Sequence, residues 1–70
     1  MSIYDLIDGG CMVQGMVRVT VISPEGRLTD VYDGEGEDIP GDEAWGEHDI
    51  CFLYYDKAEE RLTFEVLELW

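Results

Sequence analysis

Basic side chains are scarce in this sequence. It contains 4 Lys and Arg against 17 Asp and Glu, and its formal net charge is −13 at pH 7. DNA, RNA and anionic membranes all present phosphate groups that a chain of this charge would repel, so none of them is expected as a direct partner. The expected partners are cationic, namely a basic protein surface or a metal ion.

Long apolar runs are also absent from the sequence. No run approaches the roughly 20 residues that cross a membrane, and the N-terminal segment lacks the basic and apolar regions of a signal peptide. We therefore expect a cytoplasmic protein. Only two cysteines occur, Cys11 and Cys51. In a reducing compartment, their strand-like surroundings favour buried free thiols over a disulfide, and no CxxC or Cys/His cluster suggests zinc.

The apolar residues that are present suffice for a small fold. They make up 46% of the 70 residues, as is typical of a single globular domain. The stretch SIYDLIDGG predicts a short helix over about residues 2–8, with Ser2 as N-cap and Asp5 completing a capping box. The apolar side chains expected to share one face of this helix are Ile3, Leu6 and Ile7.

Period-two alternation predicts strands in two places. MVRVTVI alternates valine with polar residues, and the SPEGR turn would return the chain, so a first hairpin is expected at about residues 14–33. A similar pattern around a polar DKAEE turn predicts a second hairpin at about residues 49–69. Its first strand is apolar on both faces and is expected at the centre of the sheet. The predicted fold is α+β, a four-stranded antiparallel sheet of two hairpins with the N-terminal helix on one face.

An acidic loop at about residues 34–48 joins the two predicted hairpins. From Asp30 to Asp49, 9 of 20 residues are Asp or Glu and none is Lys or Arg. A loop of this length in a small domain is typically functional or mobile. Trp45 lies among the acids, where it could either anchor a partner or pin the loop to the sheet.

Metal binding and catalysis both fit this loop poorly. A helix-loop-helix calcium site beginning at Asp33 would place Asp38 where glycine is required, which leaves only weak, incidental binding of divalent cations open. Glycoside hydrolysis needs a cleft for which so short a chain leaves little room. His48 and Cys51 lie three residues apart near a strand, so they would point to opposite faces and could not pair as base and nucleophile. We expect neither catalysis nor a cofactor.

Binding to a basic surface requires only well-placed charge. The loop carries roughly one charge per 7 Å of extended chain, whereas a DNA strand carries one phosphate per about 3.4 Å. The alternative is that the acids serve solubility alone, although such a surface normally mixes both signs of charge. Imitation of a duplex would need a second acidic row, and the last hairpin offers Asp56, Glu59, Glu60, Glu65 and Glu68.

In layout and composition, with a short N-terminal helix, two hairpins and a strong excess of acids, the whole chain resembles small accessory proteins encoded by bacterial viruses. Within that group it is similar to anti-CRISPR and anti-restriction inhibitors that imitate nucleic acid. No sequence motif carries the resemblance, so no functional residue is transferred from it. What the resemblance implies is a mechanism, the occupation of the basic nucleic-acid channel of a host defence nuclease.

The sequence therefore predicts a non-catalytic inhibitor that presents an acidic surface to a basic, nucleic-acid-binding host protein. The alternative is a small structural or assembly protein that forms homo-oligomers through its sheet, with the acids serving solubility. A homodimer is compatible with either function. The residues expected to contact a partner are Asp33, Glu35, Glu37, Asp38, Asp42, Glu43, Trp45 and Glu47.

Overall fold

The computed structural model describes residues 1–68 of the chain. Leu69, which ends the predicted second hairpin, lies outside the described residues, as does Trp70. The elements in chain order are helix α1 (Ile3–Asp8), strands β1 (Met16–Ile22) and β2 (Leu28–Glu35), two 3₁₀ turns (Gly36–Asp38 and Ala44–Glu47), and strands β3 (Ile50–Asp56) and β4 (Arg61–Leu67).

Helix α1 begins with the predicted capping box. The Asp5 backbone N–H donates to the Ser2 hydroxyl at 3.0 Å, and the Ser2 backbone N–H donates to the Asp5 carboxylate at 2.9 Å. These two bonds hold the pKa of Asp5 below its ordinary value. The predicted apolar face is only partly right. Ile3 is fully buried and Tyr4 and Leu6 pack against the core, but Ile7, near the end of the helix, is 38% exposed.

Both hairpins form at the predicted turns. Strands β1 and β2 pair antiparallel around a turn in which Gly26 has a φ of 86°, the left-handed conformation expected from its sequence. Strands β3 and β4 also pair antiparallel, and residues 57–60 form the polar turn between them.

The predicted purely antiparallel sheet is wrong. The strand order is β2-β1-β4-β3, and the two central strands, β1 and β4, are parallel, with Val17 opposite Leu62 and Ile22 opposite Leu67. The hairpins therefore dock side by side through β1 and β4. Residues 36–49 make this possible because so long a connection lets the second hairpin reach the far side of β1. The sheet is mixed rather than antiparallel.

The position expected for β3 is also wrong, since β3 lies at an edge of the sheet. The centre is occupied by β1 and β4, which supply the fully buried apolar side chains of the sheet: Val17, Val19, Phe64 and Val66. Apolar residues on both faces of a strand are usual in central strands, but here they are exposed. From Cys51 to Tyr55 every residue of β3 is exposed.

One face of the sheet, the inner face, carries the core. Ile3 of α1 and Trp45 of the second 3₁₀ turn form a single buried cluster with the inner-face side chains of β1 and β4. The opposite, outer face carries the alternate residues of the same strands, which include Arg18, Thr63 and Glu65. The molecule is flat, with a smallest dimension of 16 Å. No helix within residues 1–68 has the length and apolarity needed to cross a membrane.

The two cysteines are free, as predicted, but both are exposed rather than buried. Cys11 lies in the irregular segment after α1, where it is not part of a strand. Cys51 lies at a break in the pairing register between β3 and β4, on the edge strand. The strand-like sequence around each cysteine therefore does not place it in the core.

Candidate functional site

The acidic loop is folded onto the inner face of the sheet. Trp45 is only 8% exposed and its ring lies 6.0 Å from that of Tyr32, centroid to centroid. Of the two roles open for Trp45, the structure therefore favours pinning the loop over anchoring a partner. Burial of the Trp45 side chain against the sheet therefore holds the loop in place.

Tyr4 of α1 provides a second attachment. Its hydroxyl donates to the Pro40 carbonyl at 2.5 Å and accepts from the Glu43 backbone N–H at 2.9 Å. Gly46 lies so close to the Tyr4 ring that a Cβ at this position would overlap it. At the start of the loop, the Gly36 N–H donates to the Gly15 carbonyl at 2.8 Å. These contacts fix the backbone on both sides of the acids.

Six carboxylates project from this fixed backbone and define what we call the acidic loop surface. All six are exposed. Among residues 1–68, none of their side chains forms an ion pair or a hydrogen bond with another side chain. Part of the set lines a small depression next to Tyr4. The members are Glu35, Glu37, Asp38, Asp42, Glu43 and Glu47.

Asp33 belongs elsewhere, although the sequence grouped it with the loop acids. It lies on β2 opposite Arg18, and its carboxylate accepts from Arg61 Nε at 2.6 Å. The arginine offsets the charge of Asp33, so this carboxylate is less available to a partner than those of the acidic loop surface.

The outer face carries a polar network that the sequence did not reveal. Arg18 Nη2 donates to Asp56 at 2.8 Å and to the Thr63 hydroxyl at 3.3 Å. The Arg18 guanidinium lowers the pKa of Asp56, and the backbone N–H of Glu59 adds to this effect. The Tyr54 hydroxyl donates to Glu65 at 2.6 Å, a bond that raises the pKa of Tyr54. Only the register shows that these residues meet, because they lie on three different strands.

The proposed second acidic row does not join the first. Asp56 and Glu65 lie on the outer face, where each is hydrogen-bonded. Apart from Glu35, which ends β2, the acidic loop surface belongs to the segment packed on the inner face. Glu59 and Glu60 lie in the turn after β3, and Glu68 follows β4. The acids therefore do not form two adjacent rows of the kind that a duplex presents.

The described residues offer little for metal binding or catalysis. Within residues 1–68, no group of three or more His, Cys, Asp or Glu side chains could hold a metal ion. His48 lies in the bend between the second 3₁₀ turn and β3. A depression of about 290 Å³ between the segment after α1 and the start of the loop is lined largely by apolar groups, including Ile7, Val13 and Ile39. It opens broadly to solvent.

Comparison with known proteins adds no assignment to this geometry. Neither the protein-family models, nor the curated proteins, nor the solved structures gave a match to this chain.

Proposed function

We propose that this protein is a non-catalytic, cytoplasmic inhibitor that presents the acidic loop surface to a basic, nucleic-acid-binding protein of the kind that anti-CRISPR and anti-restriction proteins target. The observation that carries the proposal is the combination of six exposed carboxylates, which pair with no side chain of the described part of the chain, with a loop tied down by Trp45 and Tyr4. Charge held on a fixed scaffold can match a partner's lysines and arginines without the entropy cost of ordering a loop.

The distribution of basic residues supports this function. Arg18 and Arg61 are engaged on the outer face, and no Lys or Arg occurs between Arg27 and Lys57. The acidic loop surface thus has no internal counter-charge to displace, and its field extends into solvent. Such a field accelerates the encounter with a partner's basic surface, and it repels nucleic acid from the basic surface that this protein occupies.

The geometry favours a one-sided patch over duplex imitation. The loop acids and the acids of the last hairpin belong to different faces of a flat molecule. A partner that contacts the acidic loop surface would therefore meet the carboxylates of the loop without those of the last hairpin. Blocking of a basic patch, rather than replacement of a whole duplex, is the mechanism that fits this arrangement.

Four substitutions to the corresponding amides, Glu37→Gln, Asp38→Asn, Asp42→Asn and Glu43→Gln, test the proposal. If each exposed charge contributes about 0.5 kcal/mol, their loss weakens partner binding by about 30-fold. The assay is a tagged pull-down from a bacterial lysate at about 50 mM and about 500 mM salt, since screening shortens the range of exposed charges. Added nucleic acid should compete with the tagged protein for the basic surface of the captured partner and so release that partner.

A matched variant removes the same number of charges elsewhere. Its changes are Asp8→Asn, Glu25→Gln, Glu59→Gln and Glu60→Gln, at exposed positions whose carboxylates make no hydrogen bond within residues 1–68. We expect this control to retain the partner. Retention of the partner by the loop variant, or equal loss from both variants, would contradict a role for the acidic loop surface.

The second candidate is a small structural or assembly protein that forms homo-oligomers through its sheet. It is favoured by the exposed apolar strand β3, which the packing of a single chain does not explain. In that case the acids serve solubility, and the two amide variants, which remove the same number of charges, should alter assembly to the same extent.

A further inference from the structure

Strand β3 presents an open edge. Its side chains from Cys51 to Tyr55 are exposed and uncharged; Phe52 is 59% exposed, Leu53 51%, Tyr54 43% and Tyr55 57%. Because hydrogen bonding alternates along an antiparallel pair, every second residue of β3 turns its N–H and C=O away from β4. An edge of this kind is a template for pairing with another strand.

The other edge strand, β2, is protected. The register of β1 and β2 shifts at Val31, which bulges the edge, and Asp30, Asp33 and Glu35 place carboxylates along it. Bulges and charges are the devices by which proteins block edge pairing. Strand β3 has no charge between Asp49 and Asp56. Among residues 1–68, the edge is covered only at its beginning, where the Ile50 N–H donates to the Met1 carbonyl at 2.8 Å.

We propose that β3 pairs antiparallel with β3 of a second copy of this chain, which joins the two sheets across a twofold axis. An antiparallel edge is complementary to itself, because each outward-facing residue offers one donor and one acceptor. Residues opposite each other must lie on the same face of the sheet, so their numbers differ by an even number. The twofold axis therefore passes through a residue rather than between two residues. With the axis at Leu53, Phe52 lies opposite Tyr54 of the second copy; with the axis at Tyr54, Leu53 lies opposite Tyr55 of the second copy.

Both arrangements bring apolar and aromatic side chains together across the interface. Such cross-strand pairs are the stabilising unit of a sheet. Pairing with a different, charged chain would leave these rings facing polar groups, whereas a second copy supplies the same uncharged strip. This inference uses a different part of the molecule from the acidic loop surface and does not depend on it.

The size of the interface limits its strength. Three aromatic side chains that are each about half exposed leave on the order of 300 Å² of ring surface per copy. This is well below the roughly 800 Å² per partner of a standard interface, which indicates a weak dimer with a Kd on the order of 100 µM. Two copies of charge −13 also repel each other. Salt screens this repulsion and should strengthen the dimer.

Sedimentation velocity tests the pairing on the native protein. Between about 10 µM and about 1 mM protein, a range that brackets the expected Kd, the sedimentation coefficient should rise from that of a monomer towards that of a dimer. The rise should begin at lower protein concentration in about 500 mM salt than in about 50 mM salt. A monomer throughout this range at high salt would overturn the proposal.

Two matched lysine substitutions locate the interface. Leu53→Lys and Val31→Lys each place one lysine on an edge strand and change the net charge equally. We expect Leu53→Lys to raise the dimer Kd at least about tenfold, because a lysine on an edge opposes strand pairing. Val31→Lys should leave dimerisation intact. Circular dichroism confirms that each variant is folded, and equal effects of the two changes would exclude β3 as the interface.

Single cysteines then identify the axis. In a background with Cys11→Ser and Cys51→Ser, a cysteine at position 53 or 54 lies opposite its own copy if the axis passes through it. Cα atoms of directly opposed residues lie about 5 Å apart, within the range for a disulfide. One of Leu53→Cys and Tyr54→Cys should oxidise rapidly to a covalent dimer, while Val31→Cys should not. The pairing would be contradicted if neither Leu53→Cys nor Tyr54→Cys formed a covalent dimer faster than Val31→Cys.

Discussion

Gly46 and Gly41 lie in the same loop but differ in their surroundings. A Cβ at Gly46 would overlap the Tyr4 ring, whereas the same position at Gly41 has no heavy atom within 4 Å. We expect Gly46→Ala to destabilise the protein by about 2 kcal/mol, because the ring must move and its bonds to Pro40 and Glu43 are disturbed. Gly41→Ala should change stability by no more than about 0.5 kcal/mol. Urea denaturation followed by circular dichroism measures both.

Equal stability of the two alanine variants would show that Tyr4 does not hold the loop.

The contacts of Tyr4 with the loop could not be predicted from the sequence, whereas those of Trp45 could in part. The pinning of the loop by Trp45 was one of two roles that its position suggested. The role of Tyr4 had no local signal, because the residues that it contacts lie far along the chain and meet it only after α1 docks.

Two ion pairs span the central strands on the outer face, Arg18 with Asp56 and Arg61 with Asp33. Arg18 holds the folded-state pKa of Asp56 below its ordinary value of 3.8. The stability contributed by this ionised carboxylate is therefore fully present above about pH 4 and lost as the pH falls through the lowered pKa. We expect Asp56→Asn to lower the melting temperature at neutral pH, with a difference from the native protein that disappears in strong acid.

Thermal melts between about pH 2 and about pH 7 measure this difference. Asp8→Asn is the matched control, since Asp8 is exposed and its side chain makes no hydrogen bond or ion pair within residues 1–68. It removes the same charge, and the gap between its melting temperature and that of the native protein should not follow the titration of Asp56. A constant gap for Asp56→Asn across the acid range would mean that the Arg18 contact contributes nothing.

Local signals predicted the elements but not their assembly. The capping box of α1 and the turns of both hairpins depend on residues close together in sequence, and each forms as expected. The parallel contact of β1 with β4 depends on which strand edges meet, and alternation within a strand carries no information about that. The exposed position of β3 was missed for a related reason, because apolar residues on both faces fit a central strand and a partner-binding edge equally well.

At the scale of the whole molecule, repulsion among carboxylates opposes ion pairing. A charge of −13 on a chain of this size favours expansion, whereas the three ion pairs found within residues 1–68 favour the folded state. Pairs that water reaches contribute only about 0.2 to 1 kcal/mol each, so repulsion should dominate. We expect the melting temperature to rise between about 20 mM and about 500 mM NaCl, over which most of the repulsion is screened.

Differential scanning calorimetry measures this rise, and both four-amide variants should show a smaller one because each lacks four of the repelling charges. A melting temperature that falls with salt would show that ion pairs, not repulsion, control stability. Salt also separates the two proposals, since it should weaken binding at the acidic loop surface and strengthen pairing at β3.

The parallel contact between β1 and β4 affects the order of folding. Each hairpin pairs residues that are near in sequence and can form within about 10 µs. Val17 and Leu62, by contrast, come together only when the two hairpins dock. Bringing together two residues this far apart in sequence should therefore limit the folding rate. On the ribosome, β4 is the last of the four strands to emerge, although it lies at the centre of the sheet. Until β4 emerges, the edge of β1 that will pair with β4 stays open. The first hairpin can then pair through this edge with other nascent chains.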